Sequence, residues 1–370
     1  MSELSLRFDA VNEATPGPKW AERWARSWPA YEAWFVSRGG DTGPSPAESR
    51  KALQRHMPEL VPVYDRLLHL AGGGARAARF LSTWCPPRYL GGCSLAALSD
   101  GTDVRLVRNY DLSPDLNEGL LLRSEWLGRP IMGMVEFLWG LSDGINEAGL
   151  AVALAYGGRS DTATGFGITT ILRYVLETCD TVEDALAVLR RVPSHMAYNV
   201  VLADRSGRTA SVELLPGGGC RVSDRAIATN HQSGAPKPER ATFTRTFERH
   251  RTLAGLGGSP RVLADAFLLT PLYQDRHAEG FGTLFTCEYD PATSALTLLW
   301  PERRRRHSLS DFTEGRWTVT YSVSTAESEP AVDWSKAANL DWSAVGRDYA
   351  SGRGRPVEEY LSGLCRTASG

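Results

Sequence analysis

A chain of 370 residues with 42% hydrophobic and 23% charged side chains has the composition of an ordinary globular protein, long enough for one large domain or two of common size. Its formal net charge of −2 gives no electrostatic reason to expect nucleic acid or an anionic membrane as partner. No apolar run is long enough to span a bilayer, and Met1 to Pro18 is polar and mixed in charge, unlike a secretory signal, so the expectation is a cytoplasmic protein.

In chain order, residues 19–38 place Trp20, Trp24, Trp28, Tyr31 and Phe35 at intervals of three and four, one aromatic face of a helix that Pro29 should break or kink. Ser45, Pro46 and Glu48 form a helix-start signature, a capping box with proline at the first helical position. Leu53, Met57, Leu60, Tyr64 and Leu67 continue the helical spacing, divided or kinked at Pro58 and Pro62. A glycine-rich break at 72–74 and a further short helix complete a mostly helical stretch of about 90 residues.

Strands then dominate. Asp100-Gly101 reads as a hairpin turn between "SLAALS" and "DVRLVRN". Residues 131–156 read as two apolar strands joined through Asp143-Gly144 and Asn146 to Gly149. Helices follow over about 166–179 and after Thr181, an N-cap with Glu183 and Asp184 in the first turn. A hairpin over 197–215 turns at Asp204 to Gly207. Residues 240–270 are expected to be helical, with strands at 283–289, 295–300 and 316–323. Arg303 to Arg306 reads as a solvated loop or a local salt-bridge patch. The tail from 324 is expected to wrap the surface. This order suggests an α+β protein with antiparallel sheets covered by helices.

The six cysteines are dispersed, without Cys-x-x-Cys spacing or a histidine at metal-ligand spacing, which argues against a metal site or a disulfide framework. Cys93 stands apart because it follows Gly91 and Gly92 and opens the hairpin. A turn at Asp100-Gly101 pairs Cys93 with a residue between Arg108 and Tyr110, and brings Asp111 one step beyond, near the Cys93 nitrogen. A neighbouring arginine favours thiolate. A carboxylate beside a backbone nitrogen does little for an amide, but it suits a free α-amine, which can act as general base for its own side chain. Freeing that amine requires cleavage of Gly92–Cys93, and glycine imposes the least steric cost on such a bond.

"GGCS" (91–94), "RNYD" (108–111), "GINEAGLAVALAY" (144–156) and "ATNHQ" (228–232) together resemble the N-terminal-nucleophile (Ntn) hydrolases, specifically the autoproteolytic acyltransferases typified by isopenicillin N acyltransferase. Choloylglycine hydrolases, penicillin V acylases and acid ceramidases are more distantly similar. The resemblance implies an αββα four-layer sandwich, with residues 1–92 a mostly helical pro-segment retained after self-cleavage and 93–370 the catalytic domain. It implies Cys93 as nucleophile, Asp111 orienting the amine, Arg108 beside the thiol, and the Asn230 amide with the Tyr156 backbone N–H as oxyanion donors. A family arginine follows the asparagine; Arg245 and Arg249 are the candidates, and the spacing to Leu253 favours Arg245. The implied chemistry acts on an N-acylated small molecule or peptide through a thioester, with water or an amine as acceptor, no metal or organic cofactor, no nucleic-acid or membrane partner, and a homo-oligomer allowed.

Two other readings stay open at this stage. A Cys-His protease would need a histidine at Cys93, which normally would open a helix in such an enzyme. His231 and His195 read as structural residues. A catalytically silent Ntn-like binding or scaffold protein would have no need of Cys93, Asp111 and Asn230 together.

Overall fold

The structure, a computed structural model, describes residues 3–89, 91–234 and 238–322. The chain divides into two units, Leu4–Tyr321 and a second made of Met1–Glu3 with Ser322–Gly370. Apart from Glu3 and Ser322, every described residue belongs to the first, and the tail over 324–370 lies outside the described residues.

The chain opens on a strand, β1 (Glu3–Asn12), which the sequence reading did not anticipate. Leu4, Leu6, Phe8 and Ala10 alternate with polar residues, the period of a strand with one buried face. Helices α1 (Pro18–Ser37), α2 (Pro46–His56), α3 (Val61–Leu70) and α4 (Ala75–Ser82) follow. α1 runs unbroken across Pro29, which is exposed and gives up only its own N–H bond. Trp24, Trp28, Tyr31 and Phe35 all pack on Phe80, with ring centroids 5.2–6.1 Å apart, so one aromatic contact holds both halves. The Ser45–Glu48 capping box opens α2, and a second, Thr181 with Asp184, opens the later helix α6 (Val182–Arg191).

After α4 come β2 (Gly92–Ser99), β3 (Val104–Leu112), β4 (Leu120–Ser124), β5 (Ile131–Glu136), β6 (Gly140–Asn146) and β7 (Ala151–Tyr156). The stretch 131–156 thus holds three strands rather than two, because Phe137 and Leu138 adopt positive φ (58° and 67°) and reverse the chain. Helices α5 (Ile168–Thr178) and α6 separate these from β8 (Tyr198–Ala203), β9 (Thr209–Leu214), β10 (Cys220–Ser223) and β11 (Ile227–Ala228). Helices α7 (Ala241–Thr244), α8 (Thr246–Gly255) and α9 (Leu263–Phe267) precede β12 (Asp275–Arg276), β13 (Phe281–Asp290), β14 (Ala295–Trp300), β15 (Arg303–Ser308) and β16 (Gly315–Ser322). The four-arginine run is therefore a strand, not a loop. β15 pairs with β14 at a sheet edge, where exposed cations discourage pairing with another chain.

Two sheets result. The larger has nine strands in the order β10-β9-β8-β7-β6-β5-β4-β1-β16, with β1 parallel to β4. The smaller runs β11-β2-β3-β13-β14-β15, with β12 beside β13. One apolar cluster fills the space between the sheets, including Phe8, Cys93, Leu95, Leu106, Met132, Ile145 and Phe285. A second lies between the larger sheet and α1–α6, and a third between the smaller sheet and α8–α9. The fold is an α+β, four-layer αββα sandwich. Among the described residues, no helix is long and apolar enough to cross a membrane.

Candidate active site

The β2–β3 hairpin positions the site by strand alternation. Its register pairs Cys93 with Tyr110 and Gly92 with Asp111, and the turn spans residues 100–103. Successive side chains face opposite ways. Cys93, Leu95, Leu106 and Tyr110 belong to the cluster between the sheets, whereas Ala96 and Val107 belong to the cluster under α8 and α9. Arg108 consequently points between the sheets, and Ser94 and Asp111 face α8.

Between the sheets, Arg108 is fully buried and donates from Nη2 to Cys93 Sγ (3.2 Å). Its Nη1 donates to Ser142 Oγ (2.8 Å) and lies 3.1 Å from Asp143 Oδ2, while the guanidinium stacks over the Tyr110 ring at 4.5 Å. Tyr110 in turn donates its hydroxyl to Glu136 (2.8 Å). Burial pushes the Cys93 thiol up to about 11, with Arg108 opposing. The expected bias toward thiolate is thus present but outweighed while the residue stays enclosed.

On the other face, the fully buried Arg249 of α8 holds the backbone. Its Nη1 donates to the Cys93 carbonyl (2.6 Å) and to Ser94 Oγ (2.8 Å), and lies 3.4 Å from Asp111 Oδ2. Its Nη2 donates to Asn230 Oδ1 (2.6 Å). Asp111 also accepts from Thr283 Oγ1 (2.7 Å); burial raises its carboxyl above the usual range, with Arg249 and Thr283 opposing. The Cys93 N–H donates to Asn230 Oδ1 (3.2 Å) rather than to Asp111.

Arg245, favoured from spacing, is not at this site. It pairs with Glu248 at 2.7 Å on the surface and precedes α8 in a left-handed conformation (φ 51°). Thr246, Arg249 and Leu253 are the buried residues of α8, at i, i+3 and i+7, so helical phase selects Arg249. Asn230 sits where expected in the chain, but its Nδ2 donates to the Tyr156 carbonyl (3.0 Å), so both ends of its amide are engaged in the uncut chain. The loop carrying it is pinned by Asn199, whose Nδ2 donates to the carbonyls of Thr229 (2.8 Å) and His231 (2.9 Å). The His231 ring contacts Thr246 (2.9 Å), and among the described residues no histidine hydrogen-bonds Cys93 Sγ.

Gly92 has no room for a side chain: a Cβ there would lie 2.3 Å from the Phe281 ring. A cavity of about 150 Å³ reaches this bond from one side, lined by Gly91, Gly92, Asp111, Tyr156, Asn230 and Arg240 among others. Sequence reasoning missed Asp143, Ser142, Thr283 and Asn199. Asp143, expected in the link between two strands, stands instead inside β6, because the chain reverses at Phe137 and Leu138; the hydroxyls and the amide carried no signal.

A buried thiol opening a strand of an αββα sandwich, with a glycine before it and a hairpin carrying its polar partners, defines the Ntn-hydrolase class. Residues 98–305 match the family described as acyl-coenzyme A:6-aminopenicillanic acid acyl-transferase, and with more than half its length so matched the chain belongs to that family. The match begins after Cys93 and spans Arg108, Asp111, Tyr156, Asn230 and Arg249. Among solved structures, a penicillin V acylase from Agrobacterium tumefaciens is 16% identical with a TM-score of 0.41, over 61% of this chain and 90% of its own. The N-acylethanolamine-hydrolyzing acid amidase ortholog of Caenorhabditis elegans is 14% identical with a TM-score of 0.41, over 61% and 99%. A variant of conjugated bile acid hydrolase from Clostridium perfringens is 11% identical with a TM-score of 0.39, over 64% and 99%. No curated protein matches the sequence.

Proposed function

We propose that the chain cuts its own Gly92–Cys93 bond and then uses Cys93 as an N-terminal nucleophile, hydrolysing or transferring the acyl group of a small N-acylated amine or peptide. The observation that carries this reading is the double grip on Cys93: one buried guanidinium on its sulfur and another on its carbonyl, beside a residue that tolerates no side chain.

In the cut, Cys93 Sγ attacks the Gly92 carbonyl carbon. The C–S bond forms, the C–N bond breaks, and the thiol proton passes to the departing nitrogen. A thiol held up to about 11 still carries that proton at neutral pH. Water then hydrolyses the thioester, leaving a Gly92 carboxylate, a free thiol and a free amine. With an unperturbed value of about 7.7–8.0, that amine suits a general base near neutral pH. Asp111 and the Asn230 oxygen receive its N–H groups. In turnover the Asn230 amide releases the Tyr156 carbonyl and, with the Tyr156 N–H, donates to the oxyanion. Each such donor is typically worth about 3–4 kcal/mol in the transition state. Arg249 acts as a positioning residue for Asp111 and Asn230, and Asp143 as one for Arg108. The steps balance with water or an amine as acyl acceptor.

Denaturing mass spectrometry tests the first step. Two fragments divided after Gly92 are expected, with Cys93→Ala remaining whole; a wild-type chain that stays intact on long incubation overturns self-processing. A screen of N-acyl amines, with and without an added amine, then separates hydrolysis from transfer, and hydroxylamine trapping reports the thioester.

A further inference from the structure

The aromatic cluster between the larger sheet and the helices, where Tyr89 and Phe137 pack, is reached from Cys93 through a relay of side chains. Cys93 does not line the 150 Å³ cavity, which reaches the backbone at Gly91 and Gly92. Its sulfur contacts Arg108, whose guanidinium covers Tyr110, and Tyr110 leads to Glu136 and hence to Phe137. Against Phe137 lies Tyr89, three residues before Gly92, with ring centroids 4.5 Å apart in an edge arrangement. Tyr89 also meets Tyr198 at 5.8 Å, and Tyr198 meets Tyr156 at 6.4 Å. With Tyr89, Pro86 and Pro87 in place, only about 10 Å³ remains open there, at most the room of one water molecule.

This packing is apolar and tight, but its polar groups are unmatched. The Tyr156 hydroxyl and one oxygen of Glu136 are buried without a hydrogen-bond partner among the described residues, and the Tyr89 hydroxyl lies beside Tyr198 and Thr169 without well-aligned bonds to them. A permanent core contact normally satisfies such groups. The chemistry says what the contact stands for. In the self-cut proposed above, the thioester on Cys93 carries Gly92 as its acyl part, so the residues just before Gly92 extend on the acyl side of the sulfur.

We propose that Tyr89 fills, from within the chain, the subsite that takes the acyl side chain of the substrate, so that the cut pro-segment acts as its own competitive inhibitor. The occupant to which this subsite responds is a flat ring with a hydrogen-bonding tip, which Tyr89 supplies. Cleavage leaves Tyr89 near a free C-terminus at Gly92, able to withdraw, and the subsite opens only for the fraction of time the tail is out. A tail seated nine-tenths of the time raises the apparent KM about tenfold.

This inference rests on Cys93 being the nucleophile, and the experiment separates the two. Tyr89→Ala and Tyr89→Leu are compared with wild type for cleavage after Gly92, for KM and kcat on an N-acyl amide, and for the rate at which Cys93 is alkylated by N-benzyl and N-methyl iodoacetamide. The expected result is normal cleavage, a KM lowered about tenfold by Tyr89→Ala at unchanged kcat, and faster labelling with a new preference for the benzyl reagent. A synthetic peptide of residues 84–92 should restore the wild-type KM competitively, and the same peptide carrying Tyr89→Ala should not. Processed variants with wild-type KM and labelling overturn the inference while leaving the nucleophile intact. If neither wild type nor variants are cut, the labelling rates still decide: equal rates overturn the plug, and faster benzyl labelling in the variants upholds it. Tyr89→Leu, which keeps apolar bulk, serves if the alanine variant does not fold.

Discussion

Cys93 is gripped from the two faces of one strand, and the grips differ. Between the sheets, Arg108 touches the sulfur and is held by Asp143 and Ser142 on the opposite sheet, so it ties sheet to sheet. Beneath α8, Arg249 touches the carbonyl and gathers Ser94, Asp111 and Asn230, all bonded close to the backbone of Cys93. The first pair bears on reactivity, because it adjusts a thiol. The second bears on shape, because it holds the Cys93 carbonyl and, through Asn230, the Cys93 N–H. Period-two alternation makes this division possible: one strand delivers chemistry to one side and geometry to the other.

The sharpest way to break the comparison is Arg249→Met. It leaves Asp111 buried without its cation, a loss of about 3–5 kcal/mol by the usual cost of breaking such a pair, and the chain should stay uncut. Thermal unfolding and denaturing mass spectrometry read both. Arg108→Gln likewise removes the cation of a buried carboxylate, Asp143, but leaves an amide that can still donate to it, so it should cost less stability than Arg249→Met and lose reactivity: Cys93 alkylation slows, with roughly tenfold less thiolate at neutral pH for each pH unit the thiol rises. If Arg108→Gln abolishes folding while Arg249→Met folds and cuts, the assignment of roles is reversed. Gly92→Ala should cost about 1–3 kcal/mol through its clash with Phe281 and slow the cut; adding Phe281→Leu should restore the rate. Arg245→Ala tests the smallest term, an exposed pair with Glu248 worth about 0.2–1 kcal/mol, with processing unchanged.

What could be read from the residues follows the range of the forces involved. The β2–β3 register was accessible because Asp100-Gly101 marks a local turn and pairing counts outward from it. Both capping boxes were local as well, although Asp184 as the partner in the second is read only from its hydrogen bonds. Arg249 was obscured by counting distance to Leu253 rather than helical phase. β1 was hidden because its polar positions carry Glu3, Arg7 and Asp9, and β15 because four arginines have no reason to be strand until β14 stands beside them. Asp143 belongs to the same class: its place between the sheets depends on a partner, Arg108, from a different hairpin.

β1 has a consequence for how the molecule comes apart. It lies inside the larger sheet, bonded to β4 on one side and next to β16 on the other, so under the proposed cut its sequence falls in the pro-segment while its hydrogen bonds are made to the body. An uncut chain unfolds as a single molecule, at a temperature that does not depend on its concentration. A chain cut at Gly92–Cys93, as proposed above, would unfold into two chains that must find each other again, and dilution alone would lower its melting temperature.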